Sequence, residues 1–161
     1  MEQLDRDINA QMRGILIDWI VEVGEMYGLK DQTIFLATNY IDRYVATHIV
    51  PRSCLQLVGV TCLQIASKYS ESHCPTGDQF AYISVTPIEA ELTRPSRPIA
   101  TLREARRHSL TPRSRPQEIV KMERKIIHSL SYRLCVVTAL DFVAHYSRGC
   151  HASETASMLA R

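Results

Sequence analysis

No run of residues in this chain is apolar for the roughly 20 positions that a membrane-spanning helix requires. The opening MEQLDRDINA also lacks the basic-then-apolar order of a secretory signal. The expectation is an intracellular chain with no membrane partner. Paired cysteines are missing too. Cys54, Cys62, Cys74, Cys135 and Cys150 are odd in number, contain no C-x-x-C pair and sit mostly inside apolar helical patterns, which points to a reducing compartment rather than a disulfide framework. His73 beside Cys74 and His151 beside Cys150 lack metal-ligand spacing, so no zinc is expected. There is no nucleophile elbow, phosphate-cradling glycine loop, paired metal-ligand set or HExxH motif, and the six histidines are scattered. Neither an enzyme nor a cofactor is expected. What remains is a module that works by surface complementarity.

A strong net charge is likewise absent, at +2 over 161 residues. Between Val85 and Arg115 seven arginines stand against three acids, a local excess of four, so the rest of the chain is slightly acidic. A nucleic-acid partner would want positive charge on the folded surface, and none is expected.

The chain does have helical periodicity. With 45% hydrophobic and 22% charged residues it is long enough for one domain with a real core. In Met12 to Leu29, the residues Met12, Ile15, Leu16, Trp19, Ile20, Val23, Met26 and Tyr27 share one face at 100° per residue, and Ile17 and Val21 fall on the other side. Asp18, Glu22 and Glu25 fill the narrow polar arc that is left, so this helix is expected to be the hub of a bundle. The polar lead-in, Met1 to Ala10, is expected to turn helical near Asp7 to Asn9.

Gly28 reads as a C-terminal stop and Asp31 as the N-cap of a second helix carrying Ile34, Phe35, Thr38, Ile41, Tyr44 and Val45. Pro51 opens a third, apolar almost all round from Leu55 to Ala66 and so expected to be as central as the first. A short helix around Asp78 to Ser84 presents Phe80, Tyr82 and Ile83. A fifth begins at a capping box of Ser114 and Gln117 around Pro116, with Ile119, Val120, Met122, Ile126, Ile127 and Leu130 as its buried stripe. Further helices are expected at Thr138 to Tyr146 and Ser153 to Arg161. The reading is an all-α bundle.

Four stretches carry a resemblance: Met12, Arg13, Ile15, Leu16 and Trp19 in the first helix, NYIDRYV at Asn39 to Val45, LQLVGVTCLQIASKY at Leu55 to Tyr69, and KMERKIIHSLSYRL at Lys121 to Leu134. In order and spacing the chain resembles the cyclin box, most closely that of A-type, S-phase and mitotic cyclins. The resemblance implies a lead-in at 1–10, a five-helix cyclin fold at 11–134, and the start of a second, truncated cyclin fold at 135–161. The chain departs from the family at Ser72, which stands where an aliphatic residue is usual, and at 85–113, an Arg- and Pro-rich stretch longer than the family's connection. That stretch reads as a largely disordered insert, with three accounts open. It is a regulatory loop, given the kinase-site-like Arg106-Arg107-His108-Ser109 and Thr111-Pro112, or a neutral insertion, or translated intron.

By the same resemblance the chain is a regulatory subunit that binds and activates a cyclin-dependent protein serine/threonine kinase as a heterodimer, in the nucleus and cytoplasm. Ile65, Lys68, Tyr69, Glu71, Glu123, Ile127 and Leu134 would face the kinase, and a Lys68–Glu123 pair serving only the fold is the structural alternative. Met12, Ile15, Leu16, Trp19, Glu22, Arg52 and Gln56 would form an exposed groove for Arg-x-Leu peptides of substrates and inhibitors, although periodicity alone makes Met12, Leu16 and Trp19 plain core. Arg13 and Asp42 would form a buried ion pair, whose disruption would then cost on the order of 3–5 kcal/mol. The alternative functions are a cyclin-repeat transcription factor that binds DNA and a polymerase, and a truncated or mis-spliced product that activates nothing.

Overall fold

Asn9 sets the start of the first helix. Its backbone is extended, with φ −100° and ψ 171°, and its side-chain Oδ1 accepts the Met12 N–H at 2.8 Å, so one orphan donor of the first turn is satisfied. In the computed structural model, which describes residues 8–83 and 116–149, α1 then runs Ala10–Tyr27. The expected 85–113 insert, the Ser114 cap, the helix from Ser153 and the residues before Ile8 lie outside the described residues. Gly28 ends α1 as expected, in the left-handed region at φ 63°. There the Gly28 N–H bonds to the Glu25 carbonyl at 3.1 Å and the Leu29 N–H to the Gly24 carbonyl at 2.9 Å, a Schellman closure.

Helix α2, Asp31–Thr47, is not capped by Asp31. The cap position is Lys30, whose side chain makes no capping bond, and Asp31 sits in the first turn. The capping group comes from the far end of α3. Glu71 accepts the Lys30 N–H at 2.7 Å and the Thr33 hydroxyl, and lies 3.5 Å from the Lys30 ammonium. Its side chain is 8% exposed. Burial alone would raise the Glu71 pKa, but the hydrogen bonds from Thr33 and the Lys30 backbone, with the Lys30 charge, outweigh it and hold the carboxyl below its ordinary 4.5. A group whose folded pKa is depressed stabilises the fold above its unfolded pKa and loses that contribution as pH falls through the folded value. Glu71→Gln should therefore cost about 1–2 kcal/mol at pH 7. In urea titrations the gap between the two proteins should close as pH falls below 4.5. A gap independent of pH would contradict this assignment.

Helix α3, Arg52–Ser70, opens after Pro51 and is buried continuously from Val58 to Ser67. Two of its buried hydroxyls bond back along the helix: Thr61 to the Leu57 carbonyl at 2.6 Å and Ser67 to that of Leu63 at 2.8 Å. This helix packs against α1, α2 and two further helices, α4 (Gly77–Ile83) and α5 (Pro116–Ser129). The hub is thus α3. Helix α1 buries Met12, Leu16, Trp19, Ile20 and Val23 but leaves Val21 and Met26 exposed and Ile15, Ile17 and Tyr27 half-buried. The two helices meet closely at Gly59, where a Cβ would stand 2.6 Å from Leu16 Cδ1.

Helix α4 is closed at its start by reciprocal bonds between Thr76 and Gln79. It buries Phe80 beneath Tyr27, with ring centroids 6.0 Å apart, and leaves Tyr82 exposed. Helix α5 buries Ile119, Ile126 and, just past its end, Leu130, and half-buries Met122 and Ile127. Val120, expected in that stripe, is 44% exposed.

After α5 the backbone passes through two consecutive left-handed residues, Ser131 (φ 52°) and Tyr132 (φ 58°), and then runs as a strap along α2. Arg43 donates to the carbonyls of Arg133 at 2.9 Å and Leu130 at 3.3 Å, and Tyr40 donates to that of Leu134 at 2.7 Å. Burial pushes the Tyr40 pKa up to about 12, so it remains a neutral donor. The strap ends at Thr138, whose hydroxyl meets Gln32 at 3.3 Å and whose N–H is taken by Asp141 at 2.7 Å. The Asp141 carboxylate, which also accepts the Thr138 hydroxyl at 2.8 Å, thereby ties down the start of α6, Ala139–Gly149. Among the described residues the secondary structure is wholly helical.

Candidate functional site

The last turn of α3 and the middle of α5 are joined by charge. Lys68 Nζ lies 2.6 Å from Glu123 Oε1, with the lysine side chain 48% and the glutamate 14% exposed. A cation in the last turn of a helix suits its dipole. The next residue, Tyr69, is exposed, and the neighbouring Cys135 raises its pKa. Ile127 and Leu134 are half-buried beside the core. The expected kinase-facing residues Lys68, Tyr69, Glu123, Ile127 and Leu134 are therefore at least partly accessible.

Two of the expected set are not. Ile65 is 2% exposed, because its position on α3 falls within the fully buried run. The Glu71 carboxylate is turned inward onto the start of α2. Val120, expected in the buried stripe, instead stands exposed at i−3 from Glu123 and i−7 from Ile127, on the same edge of α5. Helical angle carried the only signal, since Val120 lies 100° off the line of Ile119 and Ile126.

The proposed peptide groove is largely closed. Met12, Leu16 and Trp19 are core residues, packed where α1 meets α3 at Gly59. Ile15, Glu22 and Gln56 are half-buried, and only Arg52 is fully exposed. Among the described residues the Trp19 indole N–H has no acceptor. What is open lies one turn away. A cavity of about 230 Å³ sits at the start of α1 between α2 and α3, lined by Ile8, Ala10, Leu16, Ile41, Val45 and Leu55 with Arg13 and Asp42 among them.

Arg13 and Asp42 form the expected pair in bidentate geometry, Nε to Oδ1 at 2.6 Å and Nη2 to Oδ2 at 2.7 Å, and the bond to Asp42 raises the arginine pKa further. The pair is not buried. Side-chain exposures of 47% and 43% place it in water at the cavity. Arg13→Ala should accordingly cost about 1 kcal/mol or less in chemical denaturation, not the penalty of a stranded buried charge. A loss of about 3 kcal/mol or more would show the pair to be desolvated in solution.

Among the described residues no group of three or more His, Cys, Asp or Glu is placed to hold a metal ion. No described helix is long and apolar enough to cross a membrane.

Comparison with known proteins completes the picture. Residues 1–135 match the model of the cyclin N-terminal domain. Cyclin-A2-1 of Arabidopsis thaliana is 35% identical over 159 residues, covering 99% of this chain and 30% of the relative. Putative cyclin-A3-1 of the same plant is 36% identical over 148 residues, covering 92% and 34%. Cyclin-A2-1 of Oryza sativa subsp. japonica is 36% identical over 154 residues, covering 96% and 26%. The chain thus spans roughly a third or less of the length of these curated relatives. In fold it is similar to a viral cyclin from herpesvirus saimiri, with a TM-score of 0.69 at 19% identity, over 94% of this chain and 55% of that one. On the family match and these A-type relatives, the chain belongs to the cyclin family.

Proposed function

We propose that this chain is the kinase-binding and substrate-docking box of an A-type cyclin, a regulatory subunit of a cyclin-dependent serine/threonine kinase acting in cell-cycle progression in the nucleus and cytoplasm. The observation that carries this reading is the Lys68–Glu123 pair, held at 2.6 Å between α3 and α5 beside exposed Tyr69 and Val120. A paired, preorganised charge at the rim of an apolar surface loses little side-chain entropy when it docks.

The mechanism is a population shift. A kinase whose regulatory helix is displaced lacks the lysine–glutamate pair that positions ATP. A rigid helical surface that binds only the inward position of that helix draws the kinase toward its active state, to the extent of its differential affinity for the two. Substrate docking uses a second surface. The cavity beside Arg13 and Asp42 takes an apolar side chain of a substrate or inhibitor peptide.

A pull-down of a monomeric cyclin-dependent kinase with the chain, followed by a histone-phosphorylation assay, tests the reading. Lys68→Ala and Glu123→Ala should each reduce capture and activity. A folded chain that captures no kinase, or two variants that capture it as well as the parent, would sink it.

A further inference from the structure

The face of α5 turned away from the core is basic. Lys121, Arg124, Lys125 and His128 recur at i, i+3, i+4 and i+7, opposite Ile119, Ile126 and Leu130, and all four are exposed. None of their side chains forms a hydrogen bond or ion pair with another described residue. Glu123 lies round the helix from the stripe, near the line of Ile119 and Ile126, where it pairs with Lys68. Lys121 and Lys125 form a like-charge i,i+4 pair, which works against the helix. Folding therefore gives no account of this face.

We propose that this stripe is a docking site for a short acidic segment of a partner protein, one bearing several aspartate or glutamate side chains. This site is separate from the Val120–Glu123–Ile127 edge and from the α1 cavity, and it does not depend on the kinase reading. The argument is charge complementarity at a matching length. Seven residues of helix span about 10 Å, which an extended peptide covers with about three or four residues at 3.3 Å each. Alternate carboxylates on such a peptide face the same side and meet successive cations. A nucleic acid fits less well, because only three of the four residues are Lys or Arg and no Phe, Tyr or Trp lies on α5 for a base to stack on. A second copy of this chain could offer Asp18, Glu22 and Glu25 on α1. One helix laid on another, however, covers far less than the roughly 1,200–2,000 Å² of a stable interface.

Fluorescence anisotropy of a labelled Asp/Glu peptide of about eight residues, titrated with the full chain, tests the proposal. Saturable binding is expected at about 50 mM salt and should weaken clearly at about 200 mM, where screening is stronger. The triple variant Lys121→Glu/Arg124→Glu/Lys125→Glu should weaken it by at least about tenfold with an unchanged helical spectrum. The milder Lys121→Gln/Lys125→Gln should give an intermediate loss and guards against a folding defect in the triple variant. Asp18→Asn/Glu25→Gln on α1 should bind as the parent does. No saturable binding at the lower salt, or equal binding by the charge-reversed chain, would overturn the proposal. So would tighter binding of a short DNA duplex through the same three residues, which makes the stripe a nucleic-acid contact. Self-association abolished by either charge change would overturn it in favour of a contact between copies.

Discussion

Exchanging the two charges of the α3–α5 pair, Lys68→Glu with Glu123→Lys, should leave the chain folded and weaken kinase binding by about 100-fold or more. The pair joins two helices at 2.6 Å, and the glutamate is the more enclosed member at 14% exposure. Glu123→Ala removes a partner from half-exposed Lys68 and should cost little stability, within the about 0.2–1 kcal/mol of surface pairs. Lys68→Ala strands a more enclosed carboxylate and should cost somewhat more. In either single variant a loss of kinase binding has two explanations, a weakened fold or a lost contact. The exchange separates them. A pair that serves only the fold works equally well in either polarity, so the exchanged chain would regain both stability and binding. A pair whose two ends meet the kinase backbone separately works in one polarity only, because the donor on α3 becomes an acceptor and the acceptor on α5 a donor. Thermal melts near the parent's together with loss of kinase capture is the expected result. Capture restored with stability would confine the pair to the fold and withdraw the central support of the proposed function.

Local chemistry was legible in the sequence wherever cause and effect lie within one turn. Gly28 could be read as a stop because the left-handed residue that closes a helix is the one that lacks a Cβ. Pro51 could be read as a start for a similarly local reason. Asp31 misled because the group that caps α2 is Glu71, 40 positions downstream and adjacent only in the folded chain. A cap from a distant element leaves no spacing to detect. That contact also removes Glu71 from the surface expected to meet a kinase. The polar letters of NYIDRY show the same limit. Helical spacing placed them on α2, but nothing in the spacing tells that Tyr40 and Arg43 hold the carbonyls of Leu130, Arg133 and Leu134.

The site was legible in part. The pairing of Arg13 with Asp42 came through the resemblance, whereas its exposure did not, since burial depends on how the ends of three helices leave a cavity between them. For Met12, Leu16 and Trp19, periodicity and resemblance pointed opposite ways. The structure sides with periodicity. A stripe at i, i+4 and i+7 goes to the core whenever a facing helix offers a flat enough surface, and Gly59 provides it.

Leu63→Ala should destabilise the chain by about 2–5 kcal/mol, whereas Met26→Ala should change it by about 0.5 kcal/mol or less. Both are large apolar residues in helices that the sequence ranks as equally central. Leu63 is fully enclosed, on the helix that touches α1, α2, α4 and α5. Truncating it removes transfer free energy and leaves a cavity that four packed neighbours cannot close together. Met26 lies in the last turn of α1 and is 38% exposed, so truncation there mostly trades one wetted surface for another. For a chain of this size the first change should lower Tm by about 5–15 °C and the second by about 2 °C at most. The contrast tests which helix organises the bundle. Equal losses at the two positions would return that role to α1. The expected inequality would mean that the helix most uniformly apolar over its middle ten residues, rather than the one with the most apolar faces along its length, ends up at the centre, because only it can be surrounded without burying a charge.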